Sequence, residues 1–184
     1  MTAKPDANKV EAVAVELRLD RISRLYNSLD PAPFHEKELE AAADEYIVGS
    51  AEDVGGRPFR LVIMLPQDEL ARPEAAQIPV SIRNHFALRE RNEHRRLRAE
   101  WHRGRISLLI GLAFLAACLL ARELLTTSET TTTRILDEGL LIVGWVAMWG
   151  PLDVFLYGWW PIAGRRRLYA DLARLDVELR PLEL

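Results

Sequence analysis

The sequence predicts an α+β membrane protein: a two-helix transmembrane hairpin carrying a small cytoplasmic α/β domain built from both the N- and C-terminal segments. Three observations lead there. Two apolar runs, at 106–121 and 140–162, lie close together in a chain of otherwise ordinary composition, 49% hydrophobic and 28% charged over 184 residues. Arginine is dense on the outer flanks of that pair of runs and sparse between them. Short strand-like stretches occur near both ends of the chain, as if the two ends shared one sheet.

The charges are segregated. Residues 1–82 carry nine basic and fifteen acidic side chains, whereas 83–105 carry eight Arg and three Glu. Residues 106–164 hold only two Arg and five acids, and the last twenty residues open with Arg165, Arg166 and Arg167. Of the 24 basic residues 21 are Arg, and with abundant Ala and Leu this fits a high-GC bacterial genome by association. The one cysteine, Cys118, lies in the first apolar run, so no disulfide framework or thiolate metal site forms within one chain. The N-terminus has no apolar core of a signal peptide, and residues 1–11 are expected to be a flexible N-terminus.

Residues 12–79 read as the cytoplasmic α/β domain. AVAVELRL (12–19) alternates, with Val13, Val15, Leu17 and Leu19 on one face of a strand. In SLDPAPFHEKELE, Asp30 and the two prolines open a helix, and acids at 36, 38 and 40 suit its first turns. The covering helix spans 35–53, with Leu39, Ala42, Ala43, Tyr46 and Ile47 as its apolar stripe. Gly55-Gly56 then reads as a helix C-cap and turn, and PFRLVIMLP (58–66) as a buried strand bounded by prolines. Proline is absent from Val80 through Gly150, so one long helix is expected from about Val80 to Leu125. Its first part, 80–105, is a basic stalk, and 106–125 is the first transmembrane helix. Ile106–Ala121 alone has sixteen uncharged residues, about 24 Å of helix. Arg105 and Arg122 can snorkel to extend its reach.

Residues 126–134 form the external loop, rich in Thr, and 135–150 the second transmembrane helix. Gly111, Cys118 and Gly144 are placed to serve packing between the two helices. An interfacial segment follows at 151–164, then a cytoplasmic tail, 165–184. Within the tail LDVELRPL (175–182) alternates and is expected to pair with the N-terminal domain. VELR occurs at both 15–18 and 177–180, too short a match to count as a repeat. The Arg bias puts both termini in the cytoplasm and the Thr-rich turn outside, which for a bacterium means the inner membrane.

Asp153 is the one carboxylate in WVAMWGPLDVFLYGWW. A second helix running straight to Trp160 would hold it in hydrocarbon at a cost of at least about 2.5 kcal/mol, with Arg103 or Arg105 as its partner. The cheaper arrangement ends the span at Gly150-Pro151, so that Asp153 enters the first turn of a short interfacial helix. A proline kink in a continuous helix lies between these. Headgroup contact falls to Arg95, Arg96, Arg98, Arg165, Arg166, Arg167, Trp159 and Trp160.

Other chemistry is thin. Asp30, His35 and Glu36 suggest a metal or acid-base pair less well than a helix start, and Leu39 stands where HExxH needs its second His. His85, His94 and His102 on one helix fall about 180° and 80° apart and do not converge on one ion. The Arg-rich stretch abuts a span and lacks a nucleic-acid recognition fold, so it serves topology and anionic lipid rather than nucleic acid. No P-loop, GxSxG, GxGxxG or CxxC occurs, and no cofactor is expected.

RLYNSLDPAPFHEKELEAAADEYIVGSA (24–51), RLVIMLP (60–66) and LLIVGWVAMWGPLDVFLYGWWP (140–161) together resemble a group of bacterial hypothetical proteins with two membrane spans. The resemblance covers about residues 13 to 180 and carries a SLDPxPFxEKxL-type N-terminal segment. It implies the architecture and transfers no functional residue. The expected function is non-enzymatic, as a membrane anchor, assembly or regulatory subunit meeting lipid headgroups and a protein partner or further copies of itself. The alternative is an oligomeric channel or transporter subunit using Asp153.

Overall fold

The computed structural model describes residues 12–125 and 131–182. The expected flexible N-terminus at 1–11, and residues 126–130 of the expected external loop, lie outside the described residues. In chain order the elements are β1 (Val13–Arg18), a 3-10 turn (Ile22–Leu25), α1 (Ala41–Val54), β2 (Phe59–Leu65), α2 (Gln67–Leu70), α3 (Ile78–Leu125), α4 (Thr131–Val146), α5 (Trp149–Asp153), a π-helical turn (Val154–Gly158), α6 (Trp160–Leu172) and β3 (Asp176–Pro181). They divide into two units, Met1–Arg91 with Arg166–Leu184, and Asn92–Arg165.

The first unit is mixed α and β around a three-stranded sheet of order β1-β2-β3, parallel throughout. Parallel neighbours need a crossover connection. The crossover from β1 to β2 contains α1. The crossover from β2 to β3 contains the whole second unit, so the sheet is closed by residues from both sides of that excursion. The register aligns Val15, Leu61 and Val177 in one row and Leu17, Ile63 and Leu179 in another. These odd-numbered side chains face the core, where Ile47, Ala51 and Val54 of α1, Ile78, Ile82 and Phe86 of α3, and Leu172 of α6 cover them. Each fully buried side chain of this size contributes about 1.5–3 kcal/mol.

α1 begins at Ala41, six residues later than the helix expected from His35. The cause is a competing use of the backbone. Asn27 N–H donates to Glu38 O at 2.9 Å and Glu40 N–H to Leu25 O at 2.9 Å, making a bridge between Tyr26 and Leu39. Asp30 does not cap a helix. Its carboxylate accepts N–H groups from Ala32 (2.9 Å) and Glu38 (2.7 Å), folding 30–38 into a loop. Leu39 and the α1 residues Ala43 and Ile47 are buried as the stripe required, while Tyr46 is half exposed. At the other end Gly55 takes the left-handed conformation (φ 65°) that terminates the helix.

α3 is a single helix of 48 residues, about 72 Å long. It starts two residues before the expected Val80, with Pro79 in the first turn, where a missing N–H costs nothing.

The second unit is an antiparallel pair formed by the rest of α3 and the chain from α4 into α6. Partner numbers fall as those on α3 rise. A Cβ on Gly104 would meet Val154 and Phe155, one on Gly111 would meet Met148, Ala147 and Pro151, and one on Gly144 would meet Leu115 and Cys118. Two helical stretches, Ala75–Leu124 and Arg134–Leu172, are long and apolar enough to cross a membrane. Only 17% and 11% of their most apolar windows are buried, so they are not core helices of this chain. Leu109, Ile110, Leu120, Ile142 and Trp145 all point outward.

The second helix does not stop at Gly150-Pro151. The break lies earlier, at Ala147-Met148, and Pro151 sits in the first turn of α5 with helical backbone on both sides. Leu152 N–H then reaches Met148 O at 3.2 Å, and a π turn carries the chain into α6. The segment 151–164, expected to lie in the interface, is helical and packs along α3 at its start: Trp101 meets Phe155 at 5.6 Å between ring centroids. The chain is thus helical across Gly150-Pro151, with a turn at Ala147-Met148 before it and the π turn after it. The close approach is possible because position 104 has no side chain.

Candidate functional site

Asp153 ends α5 and precedes the π turn without a side-chain capping hydrogen bond, and it is exposed. Its neighbour Val154 packs against Gly104, so Asp153 lies level with the Arg103–Arg105 foot of the apolar stretch of α3. That is where α3 turns from apolar to basic. Among the described residues, neither Arg103 nor Arg105 forms an ion pair with it. Arg103 instead lines an open groove of about 430 Å³ with Ala99, His102, Ile106, Ser107 and Ile110.

The arginines expected at headgroups divide between exposed and paired side chains. Arg98, Arg105, Arg165 and Arg167 are exposed. Arg95 bonds Asn92 on its own helix, and Arg96 pairs with the buried Glu93 at 2.8 Å. In the first unit Arg166 approaches Glu90 at 4.0 Å. All five tryptophans fall between 101 and 160. Trp159 donates its Nε1–H to Phe155 O at 3.0 Å and meets Trp101 at a tilt (6.3 Å) and Trp160 edge to face (5.9 Å). Trp160 is exposed. Aromatic rings with one polar edge beside a basic helix are what an interfacial belt requires.

The first unit holds a polar cluster that sequence reasoning missed. Asp44 of α1 is buried and faces α3. Its Oδ1 meets His85 Nε2 at 3.0 Å and its Oδ2 meets Arg89 Nη1 at 2.8 Å. Arg89 also donates to the Tyr169 hydroxyl of α6 at 3.4 Å, with its guanidinium 5.6 Å from the Tyr169 ring. His85 Nδ1 accepts the Leu39 N–H at 3.4 Å. That bond assigns the ring proton to Nε2, which donates to Asp44. Both ring nitrogens are thus engaged by protein. A general base needs one nitrogen facing a substrate, so this Asp-His pair is built as a clamp between helices. The only sequence signal was His85 and Arg89 sharing a helix face four residues apart; nothing local points to Asp44.

A second buried carboxylate, Glu69, accepts the Ile22 N–H at 2.8 Å and pairs with Arg72 at 2.9 Å, fixing the 3-10 turn to α2. Burial pushes the Tyr26 phenol up to about 12, with neighbouring Ser81 acting weakly the other way. Neither hydroxyl finds a partner of hydrogen-bonding geometry, so the two are neighbours rather than a bond. The N–H groups of Glu38 and Ala32 hold the Asp30 carboxyl below the usual aspartate range. On β3 the Arg180 guanidinium does the same for Glu178. Beside α1 an open groove of about 540 Å³ is lined by Leu17, Leu19, Tyr26, Ala42, Ala43 and Tyr46, with Arg24 and Glu40 as its ionisable groups. Among the described residues no three His, Cys, Asp or Glu side chains converge to hold a metal ion.

Comparison with protein-family models, with curated proteins and with solved structures finds no match for this chain.

Proposed function

We propose that this is a multi-pass protein of the bacterial inner membrane, in which a two-helix hairpin anchors a small cytoplasmic α/β unit that acts without catalysis, by holding, assembling or regulating a protein partner. One observation carries the reading. The outward-facing apolar helix pair is inserted between two strands, β2 and β3, that pair with each other in one sheet. A chain that leaves and re-enters the same folded unit crosses a bilayer an even number of times. Both flanks therefore lie on one side, and the arginines on those flanks favour the cytoplasmic one. Arg95, Arg96, Arg98 and Arg165–Arg167 meet anionic headgroups with Trp159 and Trp160, each basic residue near the surface adding about 1 kcal/mol. The engaged nitrogens of His85 favour a structural unit over an enzyme. A channel built on Asp153 is less favoured, because that carboxylate is level with the basic foot of α3.

Thiol labelling tests the topology. In a Cys118→Ser background, Ser128→Cys should react with a membrane-impermeant maleimide in intact cells, and Asp20→Cys only after lysis. The protein should stay in the pellet on alkaline carbonate extraction. Extraction into the supernatant, or labelling of Asp20→Cys from outside, overturns the reading.

A further inference from the structure

The second face of the sheet is charged at its edges rather than covered by the main core, which is unusual for parallel strands. Among the described residues the core cluster takes only odd-numbered strand positions, and Val62, at the centre of the other face, is buried (1% exposed) without belonging to it. On that face the register sets Glu16, Val62 and Glu178 side by side in one row and Arg18, Met64 and Arg180 in the next. The two VELR tetrapeptides produce this pattern, because they occupy the two edge strands in matching register on either side of β2. Both of these rows are of one sign at their two edges, and the two rows are of opposite sign; the row before them, Ala14, Arg60 and Asp176, is mixed. The charged side chains are well exposed: Arg18 and Glu16 at 72% and 49%, Arg180 and Glu178 at 46% and 40%.

We propose that this face is a homodimer interface, on which a second copy packs sheet to sheet about a twofold axis running across the strands between the two rows. Charge complementarity selects both the occupant and the axis. An axis along β2 would lay Glu16 over the partner's Glu178 and Arg18 over the partner's Arg180, which repel. The axis across the strands lays the glutamate row of one copy over the arginine row of the other. Glu16 then faces the partner's Arg18, and Glu178 the partner's Arg180. Within each chain Glu16–Arg18 (3.8 Å) and Glu178–Arg180 (2.9 Å) are already paired along their strands. Dimerisation closes each pair into a ring of four alternating charges. Such a network gains more than isolated surface pairs, which contribute only about 0–1 kcal/mol each. The buried Arg60 Nε, which meets no hydrogen-bond acceptor among the described residues, belongs to the same face, where Arg60 Nη1 lies 3.9 Å from Glu178. The face is small, so the contact alone is weak, and confinement of both copies to one bilayer raises their effective concentration. The pairing itself does not depend on the anchor reading; only this gain in strength does.

The test uses the full chain in lipid vesicles, with Cys118→Ser throughout. Met64→Cys should be joined between copies by a short bismaleimide, and Glu45→Cys on the exposed side of α1 should not. An all-acidic face (Arg18→Glu with Arg180→Glu) and an all-basic face (Glu16→Arg with Glu178→Arg) should each lose the cross-link, with dimer affinity falling on the order of a hundredfold. Mixing the two variants should restore it between unlike chains, which also certifies that both fold. Absence of the Met64→Cys product in the unaltered face, or its persistence in both single-sign variants, overturns the proposal. Carbonate extraction of the same samples reports separately on the membrane reading.

Discussion

Asp44 and His85, forty-one residues apart in sequence, meet at 3.0 Å with the imidazole almost fully buried. The carboxylate also holds Arg89, so α1 is fastened to α3 at two points one helical turn apart. Removing the shared acceptor leaves a buried donor on His85 and a half-buried cation on Arg89. Asp44→Ala should therefore cost about 2–4 kcal/mol, partly discounted because Arg89 can turn to solvent. The check is chemical denaturation followed by circular dichroism in mild detergent. A double-mutant cycle with His85→Ala should give a coupling of about 1 kcal/mol or more; strict additivity would count against the clamp.

Gly144 sits at a close approach between the two apolar helices. An added Cβ would lie 2.9 Å from Leu115 Cδ1 and 3.2 Å from Cys118 Cβ, whereas Gly139 has nothing within 4 Å. Gly144→Leu should destabilise the pair by about 1–3 kcal/mol. Gly139→Leu should be neutral or mildly stabilising, since it removes a helix glycine without a clash. Thermal melting in detergent, read on tryptophan fluorescence, separates the two.

Asp153 gives the sharpest test between anchor and channel. Level with the basic foot of α3 and exposed, it should tolerate Asn with a change within about 0.5 kcal/mol. Proteoliposomes carrying either form should show no proton flux above lipid alone. Flux that disappears in Asp153→Asn would falsify the anchor reading.

Asp30 sets a local pH response. Its folded-state pKa is held low by two backbone N–H groups, so the unfolded chain binds more protons between that value and about pH 4. The stabilisation is complete above about pH 4 and is lost as pH falls through the folded value. The Glu38 amide resonance should move upfield on acidification through that window, and Asp30→Ala should abolish the response. A Glu38 amide insensitive to pH in the native protein would remove Asp30 as its acceptor.

What was legible in the sequence was periodic. β1, β2 and β3 were visible because alternation or a continuous apolar run specifies a strand without knowledge of its neighbours. The long helix was visible because neither proline nor glycine pairs interrupt it. The start of α1 was not legible, because the 35–40 segment has helical composition yet its backbone is taken by Asp30 and by the bridge to Leu25–Asn27. The clamp was hidden for a related reason, since Asp44 looks like one more acid on an amphipathic helix until α3 lies against it. Gly150-Pro151 read as a stop, but Pro151 falls where a helix needs no N–H, and Gly104 gives the continuing chain room.

The parallel pairing of β2 with β3 also sets an order of assembly during synthesis. When the ribosome has finished β2, the strand that will flank it is still more than a hundred residues away. The sheet stays a two-stranded fragment with one raw edge, and Tyr169, Leu172 and Val177 are missing from its core. Closure waits until the whole second unit has been made and β3 itself emerges. On the proposed membrane reading, a chain truncated just before Asp176 would be inserted but never sealed, a natural substrate for membrane proteases.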